Sequence, residues 1–400
     1  MAPEGKKKIL FVDDDPNILN GLKRMLRRMS TEWDMVFVES GAEALEYMKR
    51  NPIDVVVSDM KMPGMDGAHL LEQAMNEHPE VVRIVLSGYS DKETVLKSVQ
   101  VAQQYLSKPC DPDKLRATIE RACALRNILT NHSLKRVISQ ISSLPSLPEL
   151  YQEILEELHS IEPSIQKIGD IIEKDVAMTA KILQLVNSAF FGMPRHIGSP
   201  HQAVTLLGLE TVKALVLSVK VFSQFEETKV PRKFFDTLWK HSMKTGRLVR
   251  EIVKVEKVEK EIAEDSYMAA LLHDVGKLVL AASFPEDYRE IIGVSLLKKA
   301  PIRTTEQEKF GTTHAEVGAY LMGIWGLPDN IIEALAFHHR PAKCPVNRFA
   351  PLTAVHVASA IEHQCDPRNE IDYSGEVDLD HLARLGVAER FEVWKRLSIE

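Results

Sequence analysis

The chain has 400 residues, of which 44% are hydrophobic and 27% charged, and its formal net charge is −7. This length predicts two or three domains with sizeable cores, and the composition excludes a largely disordered chain. The acidic balance argues against direct DNA binding, because contacts with phosphate need clustered lysine and arginine. No run of about 18 uncharged apolar residues occurs, so we expect no membrane-spanning segment.

The cysteines are few and lack the spacing of a metal-binding or disulfide framework. The lysine-rich start is followed by a short apolar strand rather than by the apolar region of a signal peptide. We therefore expect a cytoplasmic protein with reduced thiols. The cysteines are Cys110, Cys123, Cys344 and Cys365.

Residues 1–125 alternate short apolar runs with amphipathic helical patterns. This alternation predicts β-α units and a doubly wound α/β domain with a five-stranded parallel sheet, as in flavodoxin-like folds. The predicted strands cover residues 9–12, 35–38, 55–58, 84–87 and 104–107.

Polar side chains follow four of these strands, at the point where each strand ends. The carboxyl ends of parallel strands meet at one edge of a sheet, so we expect these side chains to converge. Carboxylates packed together repel unless a hard divalent cation such as Mg²⁺ lies between them. Any one of these residues taken alone would more often be an ordinary solvated turn residue. Five of them at corresponding strand ends favour a shared site instead. The set is Asp13, Asp14, Asp59, Ser87 and Lys108.

Three segments, at 12–16, 58–67 and 105–109, resemble the pattern of a response-regulator receiver domain. The resemblance implies that Asp59 accepts a phosphoryl group from a histidine kinase and that Lys108 contacts its oxygens. It implies Mg²⁺ ligation by Asp13, Asp14, Asp59 and the carbonyl of Lys61. It also implies a hydrogen bond from Ser87 to the phosphoryl group, and an inward turn of Tyr105 that signals to the surface around the fourth helix and fifth strand.

Residues 126–143 are predicted to form a helical connector, because the apolar spacing of the preceding helix continues past the end of the first domain. Two interpretations remain open. The connector is either a rigid lever or dimerisation seam, or the last helix packs on its own sheet and breaks at residues 131–133. Prolines at 145 and 148 mark the entry to the next domain.

Residues 144–365 read as an all-α domain, and residues 366–400 as its closing helical segment. Five predicted helices each offer a histidine, one of them beside an aspartate. A lone helical histidine is usually structural, but several imidazoles with a carboxylate suit a first-row metal such as Fe, Mn or Zn. Such a metal would activate water for attack on a phosphoester. These residues are His241, His273, Asp274, His314, His338, His339 and His356.

The segment Leu272–Lys277 resembles the name-giving motif of the HD phosphohydrolase superfamily. In that superfamily, the last metal ligand is an aspartate on a late helix, whereas the matching position in this chain is Ser359. A neutral hydroxyl cannot replace the charge of a carboxylate at a metal. His356, three residues earlier, is a poor substitute. No Gly-Tyr-Pro follows His339, which argues against a cyclic-di-nucleotide phosphodiesterase.

A better resemblance is to the HDOD domain, the HD-related output domain. It implies a non-catalytic signalling module. The possible vestigial metal site would then consist of His241, His273, Asp274, His314, His338 and His339. The segments that carry the resemblance are 144–148, 175–183, 187–189, 203–209, 310–321 and 325–328.

The two resemblances together imply a two-component response regulator. Phosphorylation at Asp59 would shift a population between two inter-domain or homodimeric arrangements and control a surface that binds a downstream signalling protein. The alternative is a receiver-controlled, metal-dependent phosphohydrolase acting on a nucleotide through His241, His273, Asp274 and His314. The missing carboxylate at Ser359 favours the non-enzymatic output.

Overall fold

A computed structural model of the chain shows an α/β part followed by a helical part. No helix among the described residues is long and apolar enough to cross a bilayer. Described are residues 6–88, 101–125, 132–139, 141, 144–146, 148–160, 162–187, 197–213, 215–216, 223–224, 230, 232–365 and 376–398.

The α/β part is built on a parallel sheet of five strands in the order β2-β1-β3-β4-β5. All five predicted strands are present, and each is one to three residues longer than its apolar run. The strands are β1 (Lys7–Val12), β2 (Trp33–Val38), β3 (Val55–Asp59), β4 (Val82–Gly88) and β5 (Gln104–Lys108).

Both faces of the sheet are buried, because successive side chains of a strand point to opposite faces. In β1, Ile9 and Phe11 join one apolar core, while Leu10 and Val12 join the other. Continuous apolar strands of this kind require helices on both sides of the sheet. The helices are α1 (Pro16–Met25), α2 (Gly41–Arg50), α3 (Gly67–Glu77) and α4 (Pro112–Leu125).

Three helices of the α/β part begin at side-chain caps, which satisfy the free backbone N–H groups of the first turn. Asp15 caps α1, Ser40 caps α2 and Asp66 caps α3, each accepting a hydrogen bond from a backbone N–H two or three residues on. These caps follow strand ends, so they hold the loops at the edge of the sheet where the polar residues gather.

The helical part packs around one large apolar core, in which the connector helix also takes part. Within the described part of this domain, the strand pairing is a two-residue parallel pairing of Pro145–Ser146 with Ser223–Gln224. Its helices are α5 (His132–Ser139), α6 (Pro148–His159), α7 (Ile165–Glu173), α8 (Val176–Val186), α9 (Pro200–Leu207), α10 (Leu209–Lys213), α11 (Arg232–Glu256), α12 (Lys260–Leu272), α13 (Val275–Ser283), α14 (Pro285–Lys298), α15 (Ile302–Phe310), α16 (His314–Ile324), α17 (Asp329–Phe337), α18 (Pro351–Cys365), α19 (Leu379–Arg384) and α20 (Phe391–Leu397).

Parts of four predictions fall outside the described residues. The predicted connector is described only as α5 and a few flanking positions, so the lever and the packed helix with a break both remain predictions. The surface expected around the fourth helix includes residues 89–100, and the closing segment includes residues 366–375. These two ranges, residues 126–131 and residues 188–189 of the HDOD-like pattern are outside the description.

Lys181 is an ionisable residue buried in the core of the helical part. Every residue of α8 is buried, and the ammonium of Lys181 lies 4.9 Å from the ring centre of Trp325. Burial lowers the pKa of Lys181 from 10.5 to about 7. Between these values the unfolded chain binds a proton that the folded chain does not, so this group makes the protein more stable as the pH rises.

We expect Lys181→Met to raise the free energy of unfolding at pH 7 by about 1–3 kcal/mol, because it removes a buried charge. The advantage over the unmodified protein should shrink between pH 7 and pH 10. Thermal melts at several pH values measure both effects. A variant that melts lower at every pH would show that the ammonium contributes more through its contacts than its burial costs.

Candidate functional site

Three strands bring polar side chains to one edge of the sheet. Asp13 directly follows β1, Asp59 is the last residue of β3, and Lys108 is the last residue of β5. The ammonium of Lys108 donates to Asp13 Oδ2 at 2.6 Å and also to Asp59 Oδ1. The two carboxylates, distant in sequence, therefore share one cation.

The environment of this edge keeps the lysine charged. Burial disfavours the ammonium, but its hydrogen bonds to Asp13 and Asp59 outweigh burial and raise the pKa of Lys108. Burial raises the pKa of Asp13, against the opposing effect of Lys108. The second oxygen of Asp59, Oδ2, accepts from the backbone N–H of Lys61 at 2.8 Å. The Asp59 carboxylate is thus oriented by one side chain and one backbone group.

Helix α3 begins directly against the backbone of Asp59. A Cβ atom on Gly67 would lie 2.0 Å from the carbonyl oxygen of Asp59, which no side chain can tolerate. The N–H of Gly67 donates to the carbonyl of Met60 at 3.0 Å. Glycine at this position lets the helix approach the strand end, and the approach fixes the loop that carries Lys61.

The remaining predicted residues of the first domain occupy different surroundings. Ser87 is buried at the end of β4, and its hydroxyl has no hydrogen-bond partner among the described residues. The side chain of Tyr105 is turned inward and is 2% exposed. Asp14 is exposed, and its carboxylate does not form, with Asp13 and Asp59, a group whose ligand atoms all lie within 4.8 Å.

The second cluster of polar residues lies deep in the helical part, and most of its members sit at helix ends. His273 and Asp274 form the turn between α12 and α13, rather than lying inside one helix as expected. His314 is the first residue of α16. Because neighbouring residues within a helix point about 100° apart, a turn is what allows His273 and Asp274 to face the same point.

The cluster consists of two groups that share Asp274. In each group, one ligand atom from every residue lies within 4.8 Å of the others. Six of the seven residues considered from the sequence are included, and His356 is in neither group. The first group is His241, His273 and Asp274, and the second is Asp274, His314, His338 and His339.

Each oxygen of Asp274 faces a different group. Oδ2 lies 3.5 Å from His273 Nε2 and 4.0 Å from His241 Nε2. Oδ1 lies 3.3 Å from His314 Nε2 and 3.7 Å from His338 Nε2. A carboxylate with this placement can bind a cation through each of its two oxygens.

Hydrogen bonds on the far side of the rings fix which nitrogen faces the centre. The Nδ1 atoms of His273 and His338 lie 2.8 Å from the carbonyls of Ala270 and Leu335. His314 Nδ1 lies 2.6 Å from the buried carboxylate of Glu306. In the rings of His273 and His338, the Nδ1–H group is therefore the donor, and the Nε2 lone pair points inward, as metal-binding histidines require. Burial opposes the charged form of His314, but Glu306 and Asp274 outweigh it and raise the pKa of His314 to about 9. A metal would have to displace the proton on its Nε2.

The charges in the cluster are set by burial and by close partners. Burial lowers the pKa of His241, His338 and His339 well below 6.5, which keeps these rings neutral. Burial would raise the pKa of Asp274, but Lys277, at 2.9 Å, and His273 hold it well below its usual range. Neutral imidazoles around an ionised carboxylate are the ligand set of a first-row divalent metal.

Two buried atoms at the centre are left without a hydrogen bond. Asp274 Oδ1 and His338 Nε2 have no partner of acceptable geometry among the described residues. Buried polar atoms are normally paired, because an unpaired one costs about 1–3 kcal/mol. Both atoms are acceptors that face the same point, so the donor set fits a bound metal cation.

Ser359 lies at the mouth of the first group, as the sequence predicted. Its hydroxyl is 3.3 Å from His241 Nε2 and 3.4 Å from His273 Nε2. His356 cannot take its place, because both ring nitrogens are engaged elsewhere. Its Nδ1–H donates to the carbonyl of His338 at 2.7 Å, and its Nε2 accepts from the N–H of Asp378 at 2.9 Å. Among the residues that the structure describes, the first group therefore has three strong ligands, His241, His273 and Asp274.

The HD motif also depends on a close approach between two helices. A Cβ atom on Gly276 would lie 1.9 Å from the carbonyl oxygen of His314 and 2.8 Å from the nitrogen of Gly318. Helices α13 and α16 thus touch through their backbones, directly beside Asp274 and His314. No side chain can adjust to relieve such a clash.

We expect Gly276→Ala to lower the free energy of unfolding of the helical part by about 3 kcal/mol, because backbone must move. Chemical denaturation followed by circular dichroism measures this loss. Gly293→Ala is the matched control, since a Cβ there meets nothing within 4 Å and alanine is the better helix former. Equal stability of the two variants would contradict the close helix contact.

Two functional residues had no recognisable signal in the sequence. Glu306 lies on the polar helix α15, but its carboxylate is completely buried and accepts from Tyr288 Oη at 2.7 Å as well as from His314. The ring of His363 stacks on His241 with centres 4.3 Å apart. Neither spacing nor composition distinguishes these residues from exposed ones, because their role depends on long-range packing.

Comparison with known families gives two matches along the chain. The response regulator receiver domain matches residues 9–120, and the HDOD domain matches residues 144–341. The chain is a response regulator with a receiver and an HDOD domain. Both resemblances read from the sequence are thereby confirmed. The domain limits 1–125, 126–143, 144–365 and 366–400 stay predictions.

The individual relatives of this receiver-HDOD protein cover it in part. An uncharacterized protein of Treponema pallidum (strain Nichols) is 30% identical over 239 residues, which are 59% of this chain and 46% of that protein. The hydrogenase transcriptional regulatory protein HoxA of Cupriavidus necator is 37% identical over 116 residues, 28% of this chain and 23% of HoxA. The chain thus spans about a quarter to a half of these relatives.

Among solved structures, the MmoQ response regulator of Methylococcus capsulatus str. Bath aligns with 61% of this chain and 98% of its own. The identity is 26% and the TM-score 0.46. A signal receiver domain of an HD domain-containing protein from Pseudomonas fluorescens Pf-5 aligns with 30% of this chain at 28% identity and a TM-score of 0.29.

Proposed function

We propose that this response regulator is switched by phosphorylation of Asp59 and that a histidine kinase is the phosphodonor. The observation that carries the proposal is the shared contact of Lys108 with Asp13 and Asp59 at the carboxyl edge of the sheet. It combines a fixed carboxylate nucleophile with a cation placed to neutralise the transferred group. The buried, unpaired hydroxyl of Ser87 supplies a further donor.

In the proposed reaction, an oxygen of Asp59 forms a bond to the phosphorus of a phosphohistidine. The bond between phosphorus and the imidazole nitrogen breaks, and its electron pair stays on that nitrogen, which takes a proton from solvent. The ammonium of Lys108 moves to the phosphoryl oxygens and neutralises their negative charge, and Ser87 donates a hydrogen bond to one of these oxygens. The N–H of Lys61 keeps the carboxylate in line for attack.

Mg²⁺ would be held by Asp13, Asp14, Asp59 and the carbonyl of Lys61. The donor atoms are all oxygens, which suits a small hard cation that retains several waters. Asp14 is exposed and its carboxylate can rotate towards the pair. When bound, Mg²⁺ supplies charge neutralisation for the phosphoryl oxygens.

Incubation of the protein with acetyl phosphate and Mg²⁺ tests this function. We expect labelling of one phosphoryl group per chain that is stable to acid and labile to alkali or hydroxylamine, as an acyl phosphate is. Removal of Mg²⁺ by a chelator should suppress it. An unlabelled protein under these conditions would contradict the proposed phosphoacceptor.

We also propose that the HDOD domain binds a divalent first-row metal, either Zn, Mn or Fe, through its histidine cluster. The orphaned Asp274 Oδ1 and His338 Nε2 favour this over an empty vestigial site. Asp274 would bridge the first group and the second. When bound, a metal here would polarise a water molecule. Lys277 would keep Asp274 ionised, and Glu306 would orient His314.

The proposed output remains a surface that binds a downstream signalling protein, with the metal in a structural role. The neutral Ser359 beside His241 and His273 supports this, since the first group lacks a second carboxylate. Metal-dependent release of phosphate from cyclic or linear nucleotides would instead support the phosphohydrolase alternative. The assay is made with the metal-loaded protein, and His273→Ala is its control.

A further inference from the structure

One helix runs from the histidine cluster to the receiver. Helix α16 begins at His314 in the histidine cluster and ends at Ile324 beside the receiver. At about 1.5 Å per residue, its eleven residues form a rod about 16 Å long. Every residue of this helix except Glu316 is buried. A displacement at one end is therefore transmitted to the other, because a packed helix moves as a unit.

The carboxyl end of α16 is docked on the edge strand of the receiver. The side-chain amide of Gln104 in β5 donates to the carbonyl of Ile324 at 3.2 Å. This carbonyl belongs to the last turn, whose acceptors have no partner within the helix. Tyr105, the predicted switch residue, is the next residue of β5. The contact thus places the expected signal one residue from the helix end.

A second contact fixes the middle of α16. The hydroxyl of Tyr320 lies 2.9 Å from that of Ser139, the last residue of α5. The backbone carbonyl of Ser139 accepts from Arg83 Nη2 at 2.8 Å and from Gln103 Nε2 at 3.1 Å. Arg83 is buried and donates to backbone carbonyls on both sides of the interface. Strands β4 and β5 are therefore linked to α16 through one residue of the connector.

The interface has room for rearrangement on one side. A cleft of about 720 Å³ lies between the domains, lined by Tyr105, Arg121, Trp325 and other residues of β5, α4 and α17. An exposed ion pair of 2.5 Å between Arg121 and Asp329 crosses it. Such a pair contributes little to stability. Outside this cleft, helix α4 of the receiver packs against α16, and the side-chain amide of Gln184 donates to the carbonyl of Gln103 at 3.2 Å. The polar contacts of Gln104, Ser139 and Tyr320 add to this packing.

The amino end of α16 leaves no freedom at the histidine cluster. Gly276 and Gly318 bring α13 and α16 into backbone contact, and Glu306 holds both Nδ1 and the N–H of His314. The position of α16 therefore decides whether His314 Nε2 stays near Asp274 and His338. Metal binding by the second group depends on the same helix that the receiver holds.

We infer that metal binding at the histidine cluster and phosphorylation of the receiver are energetically coupled through α16. The docked arrangement, with Gln104 on Ile324 and Tyr320 on Ser139, is the metal-binding one. Phosphorylation of Asp59 weakens the docking and lowers the metal affinity. By linkage, bound metal opposes the phosphorylated state by the same factor. This inference rests on both parts of the proposed function.

The test is a zinc titration of the full-length protein against a chromophoric chelator, with and without beryllofluoride as a stable mimic of the phosphoryl group. Mg²⁺ is present in both arms. We expect beryllofluoride to raise the Kd for zinc about tenfold, within the usual range of allosteric couplings. In Asp59→Asn the same addition should leave the Kd unchanged, because the mimic has no carboxylate to bind.

Variants of the docking residues separate coupling from metal binding. Gln104→Ala lies on the receiver and Tyr320→Phe removes one hydroxyl, so neither touches a metal ligand. Each should raise the Kd for zinc without beryllofluoride and reduce the tenfold effect to less than about twofold. Arg116→Ala is the matched control, since its ion pair with Glu120 stays within α4 and its Kd should match that of the unmodified protein.

The outcomes are distinguishable. Absence of zinc binding in both arms would remove the metal proposal itself, and absence of labelling by acetyl phosphate would remove the receiver proposal. If the protein is labelled by acetyl phosphate and its Kd for zinc is the same with and without beryllofluoride, only the coupling is overturned. Tighter zinc binding with beryllofluoride would overturn the assignment of the docked arrangement as the metal-binding one.

Discussion

Substitution of Asp59 by asparagine is expected to abolish labelling by acetyl phosphate. Asparagine keeps the size of the side chain but has no carboxylate nucleophile, so no acyl phosphate can form. The loss should be complete rather than partial, because the proposed function gives Asp13 and Asp14 to Mg²⁺ and leaves Asp59 as the phosphoacceptor. Phosphate-affinity gel electrophoresis with acetyl phosphate and Mg²⁺ measures the labelled fraction.

Asp66→Asn is the control for this experiment. Asp66 lies on the same loop and caps α3 by accepting from the N–H of His69 at 2.8 Å. Asparagine caps helices about as well as aspartate, so the variant changes the charge by the same amount but keeps the fold. It should be labelled like the unmodified protein. Labelling that persists in Asp59→Asn would contradict the assignment of Asp59 as the phosphoacceptor.

Asp274→Asn is expected to have the largest effect on the HDOD domain. Both groups of the cluster use Asp274, so removal of its charge should weaken metal binding at both. Loss of partners that only orient ligands costs about 10–100-fold in affinity, and a shared ligand should cost more than about 100-fold. His338→Ala removes a member of the second group only, so it should lower the metal content but leave the first group occupied.

The measurement is metal content by elemental analysis after dialysis, together with circular dichroism. Asp274→Asn also deprives the buried Lys277 of its carboxylate, which destabilises the fold. Asp265→Asn is therefore used beside it, because Asp265 is equally buried on α12 but lies outside both groups. Metal retained by a folded Asp274→Asn protein would contradict the shared site.

The receiver site was largely predictable because its geometry follows from local rules. Apolar runs locate the strands, parallel strands end at one edge, and Asp13, Asp59 and Lys108 follow those strands directly. The placement of Asp14 was less predictable, since an exposed side chain at a loop has no packing to direct it. Its distance from the other two carboxylates depends on what it binds.

The histidine cluster was predictable in membership but not in arrangement. The sequence identifies all six residues, yet it suggested that His273 and Asp274 lie inside a helix, whereas they form a turn. Helical periodicity continues on both sides of the turn, and Gly276 lies within the second helix rather than at the break, so it does not mark where the first helix ends. Glu306 was missed for a related reason, because a buried carboxylate on a polar helix looks like an exposed one.

By itself, the sequence determined the two domains, the parallel sheet and the residues that could carry chemistry. These depend on the spacing of apolar residues and on side-chain type, which are properties of neighbouring positions. Only the tertiary structure decided that Asp274 serves two groups and that Gln104 reaches Ile324, 220 residues away. Such contacts depend on the relative placement of helices, which the balance of long-range packing sets and no local pattern encodes.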